Sequence, residues 1–337
     1  MQYYNYEKKN CKKIFDITVG PLKEKLLMAA IQLKIFDYLI QPKTVHEITD
    51  ILGSNRINTE LFLNALVSLD LIEKSDGVYS NTAISKEIFL NGNEYYLGEH
   101  FLSTRHWYNI DLQELTTLII NGPSKTMDIS SEKVWGKQAK LSANYQKFEA
   151  VQQASKLVSS LPEYPSFKKM LDLGAGSGIV GINIIENHPT MKGVLFDKPI
   201  VANVANEFVS KYHLEERIEV RSGDYIEDDI GSGYDLVWAR LTFNFHQQQL
   251  ETIIRKVYDS LNTDGVFIYY GDGIKNEMTY PQESVMHMLI GSLKSAYPLN
   301  LAEGKVAEVM LNCGFRSVRS KTIMTNSGEM DIDIARK

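Results

Sequence analysis

A chain of 337 residues, 44% hydrophobic and 23% charged, has the balance of an ordinary globular protein and enough length for two cores. A net charge of −6 argues against binding a phosphate backbone, and two distant cysteines, Cys11 and Cys313, fit neither a disulfide framework nor a zinc site. No stretch approaches the roughly 20 apolar residues of a spanning helix, and the charged N-terminus MQYYNYEKKNCKK has no apolar signal region behind it, so a cytoplasmic protein without a membrane partner is expected.

The first predicted element is a helix over 21–42, where Leu22, Leu26, Ala29, Ala30, Leu33 and Phe36 recur at helical spacing and Gln41-Pro42 stops the run. Thr44 reads as the cap of a second helix, with Glu47 three residues on completing a capping box and Leu52-Gly53 ending it. A third helix is expected over about 58–69, with Leu61, Phe62, Ala65, Leu66 and Leu69 on one face. LIEKSDGVYSNT then reads as two short strands around Ser75-Asp76-Gly77. Helix, helix, helix, hairpin is the winged-helix order, which raises DNA binding. Charge argues against it: from Pro21 to Ser80 six Lys or Arg meet eight Asp or Glu, and Asn58–Leu69 contains neither Lys nor Arg. The apolar face of that helix suits dimerisation instead.

From about Leu97 to Leu161 the pattern is helical, with a break at Asn121-Gly122-Pro123 and a strong period over 145–157. After Pro162 and Pro165 it changes to strand–helix alternation. Strands are predicted at 168–174, 193–197, 217–222, 234–240 and 265–271, with helices over 179–187 and 199–212 between the first three. The tail, FRSVRSKTIM and then EMDIDIARK around Asn326-Ser327-Gly328, is a hairpin, so an antiparallel pair should close an otherwise parallel sheet. The expected organisation is a mainly helical winged-helix domain over 1–100, a helical connector over 101–161 and a Rossmann-like α/β domain over 162–337.

The sharpest motif is Leu171-Asp172-Leu173-Gly174-Ala175-Gly176-Ser177-Gly178, placed between a strand's carboxyl end and the next helix, where an open parallel sheet binds its ligand. Glycines there let the backbone approach a nucleoside. Asp197 ends the next strand, placed to accept both ribose hydroxyls; Asp224 after the third is placed to reach an adenine amino group, with Tyr225 stacking on the ring. Gly176 to Gly181 also fits GxGxxG, with Asp197 21 residues on, so a nicotinamide dinucleotide has to be weighed. Asp172 answers it: an acid two residues before the first glycine suits the ammonium of a sulfonium amino acid and repels a pyrophosphate. S-adenosylmethionine is the cofactor this pattern favours.

With those motifs in place, the chain from about Gly20 to Lys337 resembles the small-molecule O-methyltransferases with an N-terminal winged-helix dimerisation domain, the caffeate, acetylserotonin and polyketide type. The resemblance implies a homodimer, assigns Gly174, Asp197, Asp224 and Tyr225 to S-adenosylmethionine, and puts Arg240 at a basic position near that cofactor. It also implies a catalytic histidine four residues beyond Arg240, where this chain has Asn244. Asn has no basic nitrogen near neutral pH, whereas His does. His246 lies two residues on; a helix already begun would turn it about 200° away, and a longer loop would let it reach the site. Asn244 and His246 are thus the catalytic candidates, and the missing histidine shifts weight toward S-, N- or acidic O-acceptors. A non-methylating relative, of hydroxylase or decarboxylase type, is the alternative. The family's acceptor regions map here to His106, Trp107, Tyr108, Tyr145, Phe148, Met286, His287 and Met288, which imply a small hydrophobic or aromatic acceptor. No His/Asp cluster has metal-ligand spacing.

Overall fold

The first helix is longer than its apolar period predicts. In the computed structural model, which describes residues 8–123, 132–325 and 328–337 and omits the side chains of 8–10, 106–108 and 132–134, α1 runs Lys8–Gln32 with Pro21 inside it. Proline has no N–H to give to the carbonyl four residues back, yet the helix passes through it. The run expected over 21–42 is instead broken at Lys34, which takes φ 54, before a short α2 (Ile35–Tyr38). That turn sends Ile35, Phe36 and Leu39 into the core, and neither Gly nor Pro marks it in the sequence.

The other elements of this unit, residues 1–104, follow from local chemistry. Strand β1 (Lys43–Thr44) leads into α3 (Val45–Leu52), closed by the predicted capping box: the Thr44 amide donates to the Glu47 carboxylate at 2.8 Å and the Glu47 amide to Thr44 Oγ1 at 3.3 Å. Asn55 caps α4 (Arg56–Ser68). Strands β2 (Ile72–Ser75) and β3 (Val78–Asn81) pair across Asp76 and Gly77, both at positive φ, as a two-residue hairpin requires; β1 pairs with the far side of β3. Helices α5 (Ala83–Ile88) and α6 (Gly98–Tyr108) follow. The core gathers Ala30, Phe36, Ile48, Leu63, Leu66 and Tyr79. Leu61, expected on the inner face of α4, is exposed, and Leu63 takes that inner place.

The second unit, 105–337, contains almost all of the expected connector: α7 (Leu112–Asn121), α8 (Glu132–Phe148) and α9 (Ala150–Ser159). Then β4 (Lys169–Leu173), α10 (Ile179–Glu186), β5 (Lys192–Asp197), α11 (Pro199–Lys211), β6 (Ile218–Ser222), β7 (Tyr234–Arg240), α12 (Leu250–Ser260) and β8 (Leu261–Gly271) alternate as predicted. Helices α13 (Gln282–Leu293) and α14 (Lys305–Asn312) precede β9 (Ser317–Thr325) and β10 (Gly328–Arg336). The seven strands lie in the order β6-β5-β4-β7-β8-β10-β9, with β10 antiparallel to both neighbours. The last strand is therefore inside the sheet and β9 is its edge. Burial explains the order: Met330, Ile332, Ile334 and Ala335 of β10 are buried, while the Arg- and Lys-bearing β9 faces water, as a protected edge should. One face of the sheet packs on α9, α10 and α11, the other on α12 and α14.

Candidate active site

Strand β4 lies between β5 and β7, and the chain order reverses there, so a crevice opens between the loop after β4 and the loop after β7. The glycine loop folds back on β5: the amides of Gly174 and Ala175 both donate to the Phe196 carbonyl, at 2.9 and 3.2 Å. Gly174 has φ +72, and a Cβ there would lie 2.5 Å from Thr242 Cγ2. Gly176, at φ +59, has open space where a Cβ would point. The first glycine serves the fold and the second faces the crevice.

Two carboxylates, on the adjacent strands β4 and β5, lie behind this loop. Asp197 accepts the Gly176 amide at 2.8 Å through Oδ2 and the Lys198 amide at 2.7 Å through Oδ1. Asp172 is buried next to the Gly181 amide, and its Oδ2 has no hydrogen-bond partner. Burial, then the charge of Asp197, pushes the Asp172 carboxyl up to about 8. Burial also pushes Asp197 up to about 6, against the pull of its two backbone donors and of the Lys198 charge. No ion pair within 4 Å neutralises either one among the described residues. Asp224 is half-buried, accepting the Ile226 amide at 2.9 Å while its own amide donates to Asp228. Tyr225, expected to stack on a ligand ring, is only 8% exposed: its hydroxyl donates to the Thr242 carbonyl and its ring stands edge-on to His246 at 5.5 Å.

On the other side of the crevice, β7 ends at Arg240, Leu241 takes φ 52, and 3-10 turns cover 243–245 and 247–249. Asn244 is 1% exposed. Its Nδ2 donates to both oxygens of Asp272 at 3.2 Å and to the Leu299 carbonyl at 2.9 Å, while its Oδ1 accepts the Tyr269 hydroxyl at 3.3 Å. Every polar atom of this buried amide is engaged by the protein, so it is not free to orient an acceptor. Burial raises Asp272 above the usual carboxylate range, with the Asn244 amide opposing. His246 sits between the two turns, and α12 begins only at Leu250, so the loop placement is the one observed. Burial lowers its imidazole below the usual value, with Asp224 pulling the other way. It borders a cavity of about 300 Å³ lined also by Phe245, Gln247, Tyr297 and Leu299.

The elbow between α8 and α9 supplies the third wall. Gln146 accepts the Ser177 hydroxyl at 3.0 Å, tying α8 to the glycine loop. Gln153 accepts the Tyr270 hydroxyl at 3.0 Å and donates to Glu149 at 2.9 Å. The guanidinium of Arg240 lies 5.0 Å from the centre of the Tyr270 ring. Tyr145 and Phe148 are half-buried on α8; on α13, Met286 and His287 are exposed and Met288 is half-buried. The side chains of His106, Trp107 and Tyr108 lie outside the described residues. Sequence reading missed Gln146, Gln153, Tyr270, Thr242 and Asp272. Alternation along β8 could have set Tyr270 on the face opposite Tyr269, but nothing local marks Thr242 or the amides. Among the described residues no three His, Cys, Asp or Glu side chains group as a metal site, and no helix is long and apolar enough to cross a membrane.

Comparison with known proteins gives consistent matches. Residues 131–305 match the O-methyltransferase domain family, and residues 15–91 the O-methyltransferase dimerisation domain. An uncharacterized protein of Methanocaldococcus jannaschii is 29% identical over 251 residues, 72% of this chain and 65% of its own length, slightly under two thirds. The N,N-dimethyltransferase OxyT of Streptomyces rimosus is 24% identical over 299 residues, 84% of this chain and 83% of that protein. The crystal structure of human N-acetylserotonin methyltransferase in complex with SAM superposes with a TM-score of 0.72 at 19% identity, covering 99% of each chain, a likeness of fold.

Proposed function

This chain belongs to the O-methyltransferase family, and we propose that it binds S-adenosylmethionine in the β4–β7 crevice and methylates a small acceptor. One observation carries the cofactor reading: Asp172 and Asp197 stand on the adjacent strands β4 and β5 behind the glycine loop, Asp197 accepts the Gly176 amide, and among the described residues neither carboxylate has an ion-pair partner within 4 Å. Such a pair attracts a positive ligand and repels a pyrophosphate. S-adenosylmethionine brings an ammonium and a sulfonium, and the open space before Gly176 accommodates a ligand at the backbone. When bound, it supplies an electrophilic methyl group that passes to a nucleophile as the carbon–sulfur electron pair returns to sulfur.

The chain's own residues divide the remaining work. Gly174 and Gly176 shape the loop, Asp172 sets the charge behind it, Asp197 takes the ribose hydroxyls, and Asp224 beside Tyr225 takes the adenine edge. Tyr145 and Phe148 offer half-buried aromatic surface for the acceptor, with Met286 and His287 on α13 and His106 and Trp107 on α6 as further candidates. Asn244 acts as a pin for Asp272 and the 299 loop. His246, kept neutral near pH 7 by burial, is the proton acceptor available where an acceptor needs one. Holding the nucleophile in line supplies much of the acceleration, with effective molarities of about 10⁵ M or more for well-oriented pairs. O-, S- and N-acceptors all fit this arrangement, and OxyT is named for N-methylation. The family match over 15–91 supports a homodimer through that region.

Calorimetric titration with S-adenosylmethionine, S-adenosylhomocysteine and NAD, on the wild type and Asp197→Ala, tests the reading. The adenosyl pair should bind and the substitution should abolish that binding. NAD binding alone, or no binding at all, overturns the cofactor assignment. Adenosyl binding with no methyl transfer to phenols, thiols or amines would turn the reading to the non-methylating alternative.

A further inference from the structure

The loop after β6 carries Asp224 and Tyr225, and its shape is fixed from two directions. From within, the Asp224 carbonyl accepts the Asp228 amide at 2.7 Å, the Asp228 carboxylate accepts the Asp224 amide at 2.8 Å, and Asp224 Oδ1 accepts the Ile226 amide at 2.9 Å. A tight turn results and, like the end of a helix, it presents main-chain carbonyls that need donors from elsewhere. From outside, α12 supplies them. Lys256 Nζ donates to the carbonyls of Tyr225, Ile226 and Asp228 at 3.0, 2.7 and 2.8 Å. A lysine ammonium has three protons to give, and this one gives them all to a single turn.

The placement follows from α12. Its Ile253, Ile254 and Val257 share one core cluster with Tyr225 and Ile230 of the loop, so Lys256, half-buried beside Val257, runs its stem along that contact and brings its charge to the turn. Four acids, Asp224, Glu227, Asp228 and Asp229, stand within six residues there, and a cation on their carbonyls opposes their mutual repulsion. The turn is tied to the strand of Asp197 as well: the Gly223 amide donates to the Asp197 carbonyl at 3.0 Å, and a Cβ on Gly223 would lie 2.9 Å from the Asp228 carboxylate. We propose that Lys256 is a positioning residue for adenine recognition: by fixing the carbonyls of the 225–228 turn it holds Asp224 in the conformation that accepts the cofactor's 6-amino group. This rests on the cofactor reading above. It adds a residue from α12, an element that carries none of the cofactor-binding candidates.

The probes are S-adenosylhomocysteine and S-inosylhomocysteine, which differ in whether the purine offers an amino group or a carbonyl oxygen, titrated calorimetrically into the full chain. The wild type should favour the adenosyl ligand by about tenfold or more, the scale of one charge-assisted hydrogen bond. Lys256→Met keeps the stem and removes the ammonium. It should erase most of that preference by weakening S-adenosylhomocysteine, while S-inosylhomocysteine stays within about twofold of its wild-type affinity. Lys256→Arg, which still donates to carbonyls, should keep part of the preference. In an Asp224→Ala background Lys256→Met should leave the ratio of affinities unchanged, because the lysine acts through that carboxylate. Melting temperatures report folding, and Lys256→Gln replaces the Met variant if that one does not fold, with the same loss expected. The proposal is overturned if a folded Lys256→Met keeps the wild-type ratio, or if it weakens both ligands equally, as a purely structural lysine would. A wild type that binds both ligands alike also overturns it and leaves the cofactor reading standing. A wild type that binds neither strikes the cofactor reading itself.

Discussion

At the residue scale the acid pair behind the glycine loop sets the local electrostatics of the crevice. Asp172 is raised to about 8 and Asp197 to about 6, so near pH 7 the site holds a proton that a cationic ligand would displace. Binding of S-adenosylmethionine should therefore release protons between about pH 6 and 8, and its affinity should rise with pH across that window. Calorimetry in buffers of different ionisation enthalpy measures the release, and Asp172→Asn should remove most of it; proton uptake would contradict the assignment. Stability shows the same coupling. The unfolded carboxyl ionises near 3.8 and the folded one near 8, so the ligand-free protein should lose stability as pH rises through that interval and level off above it. This residue was legible in the sequence as an acid before a glycine; its burial and its coupling to Asp197 were not, because they arise from the return of β5 beside β4. Asn244 is the opposite case. Its position four residues after Arg240 was legible, but its pinning of Asp272 and Leu299 depends on segments 28 and 55 residues away.

At the element scale the glycine loop separates two uses of one residue type. Gly174 and Gly176 both hold positive φ, yet only a Cβ on Gly174 collides, with Thr242. Gly174→Ala should cost about 1–3 kcal/mol, the usual strain of a forced left-handed residue, with steric conflict added. Gly176→Ala should unfold later in urea than Gly174→Ala but lose adenosyl binding, because its methyl group enters open crevice. Equal loss of stability in the two variants would remove the distinction. The sequence announced this loop, the strands that flank it and the Thr44 capping box, since each follows from local pattern or local hydrogen bonding. It did not announce the Lys34 break, where tertiary burial of Ile35 and Phe36 overrides a continuous helical period. Nor did it place β10 inside β9: a hairpin pattern is the same in either order, and only the burial of Ile332 and Ile334 decides.

At the scale of the whole molecule the question is what the first unit's outer surface is for. Helix α4 is apolar on two sides: Leu63 and Leu66 fill the core, while Ile57 and Leu61, one turn apart, stand 71% and 64% exposed. Residues on the same stripe of a helix present a continuous ridge. A DNA-reading helix would present lysine, arginine or amides there, and from Asn58 onward this one offers no basic side chain. Phe15 and Ile17 on α1, within the dimerisation match, are equally bare. An apolar surface of this kind is commonly covered by a partner. If a second copy covers it, Ile57→Asp with Leu61→Asp should turn a dimer into a monomer in sedimentation equilibrium. Because both side chains already face water within the protomer, the double variant should keep its hydrophobic core and remain folded by circular dichroism. A wild type that sediments as a monomer would separate the domain match from its function in this chain. A variant that unfolds on dissociation would show instead that the first unit depends on its partner for stability, as obligate dimers do.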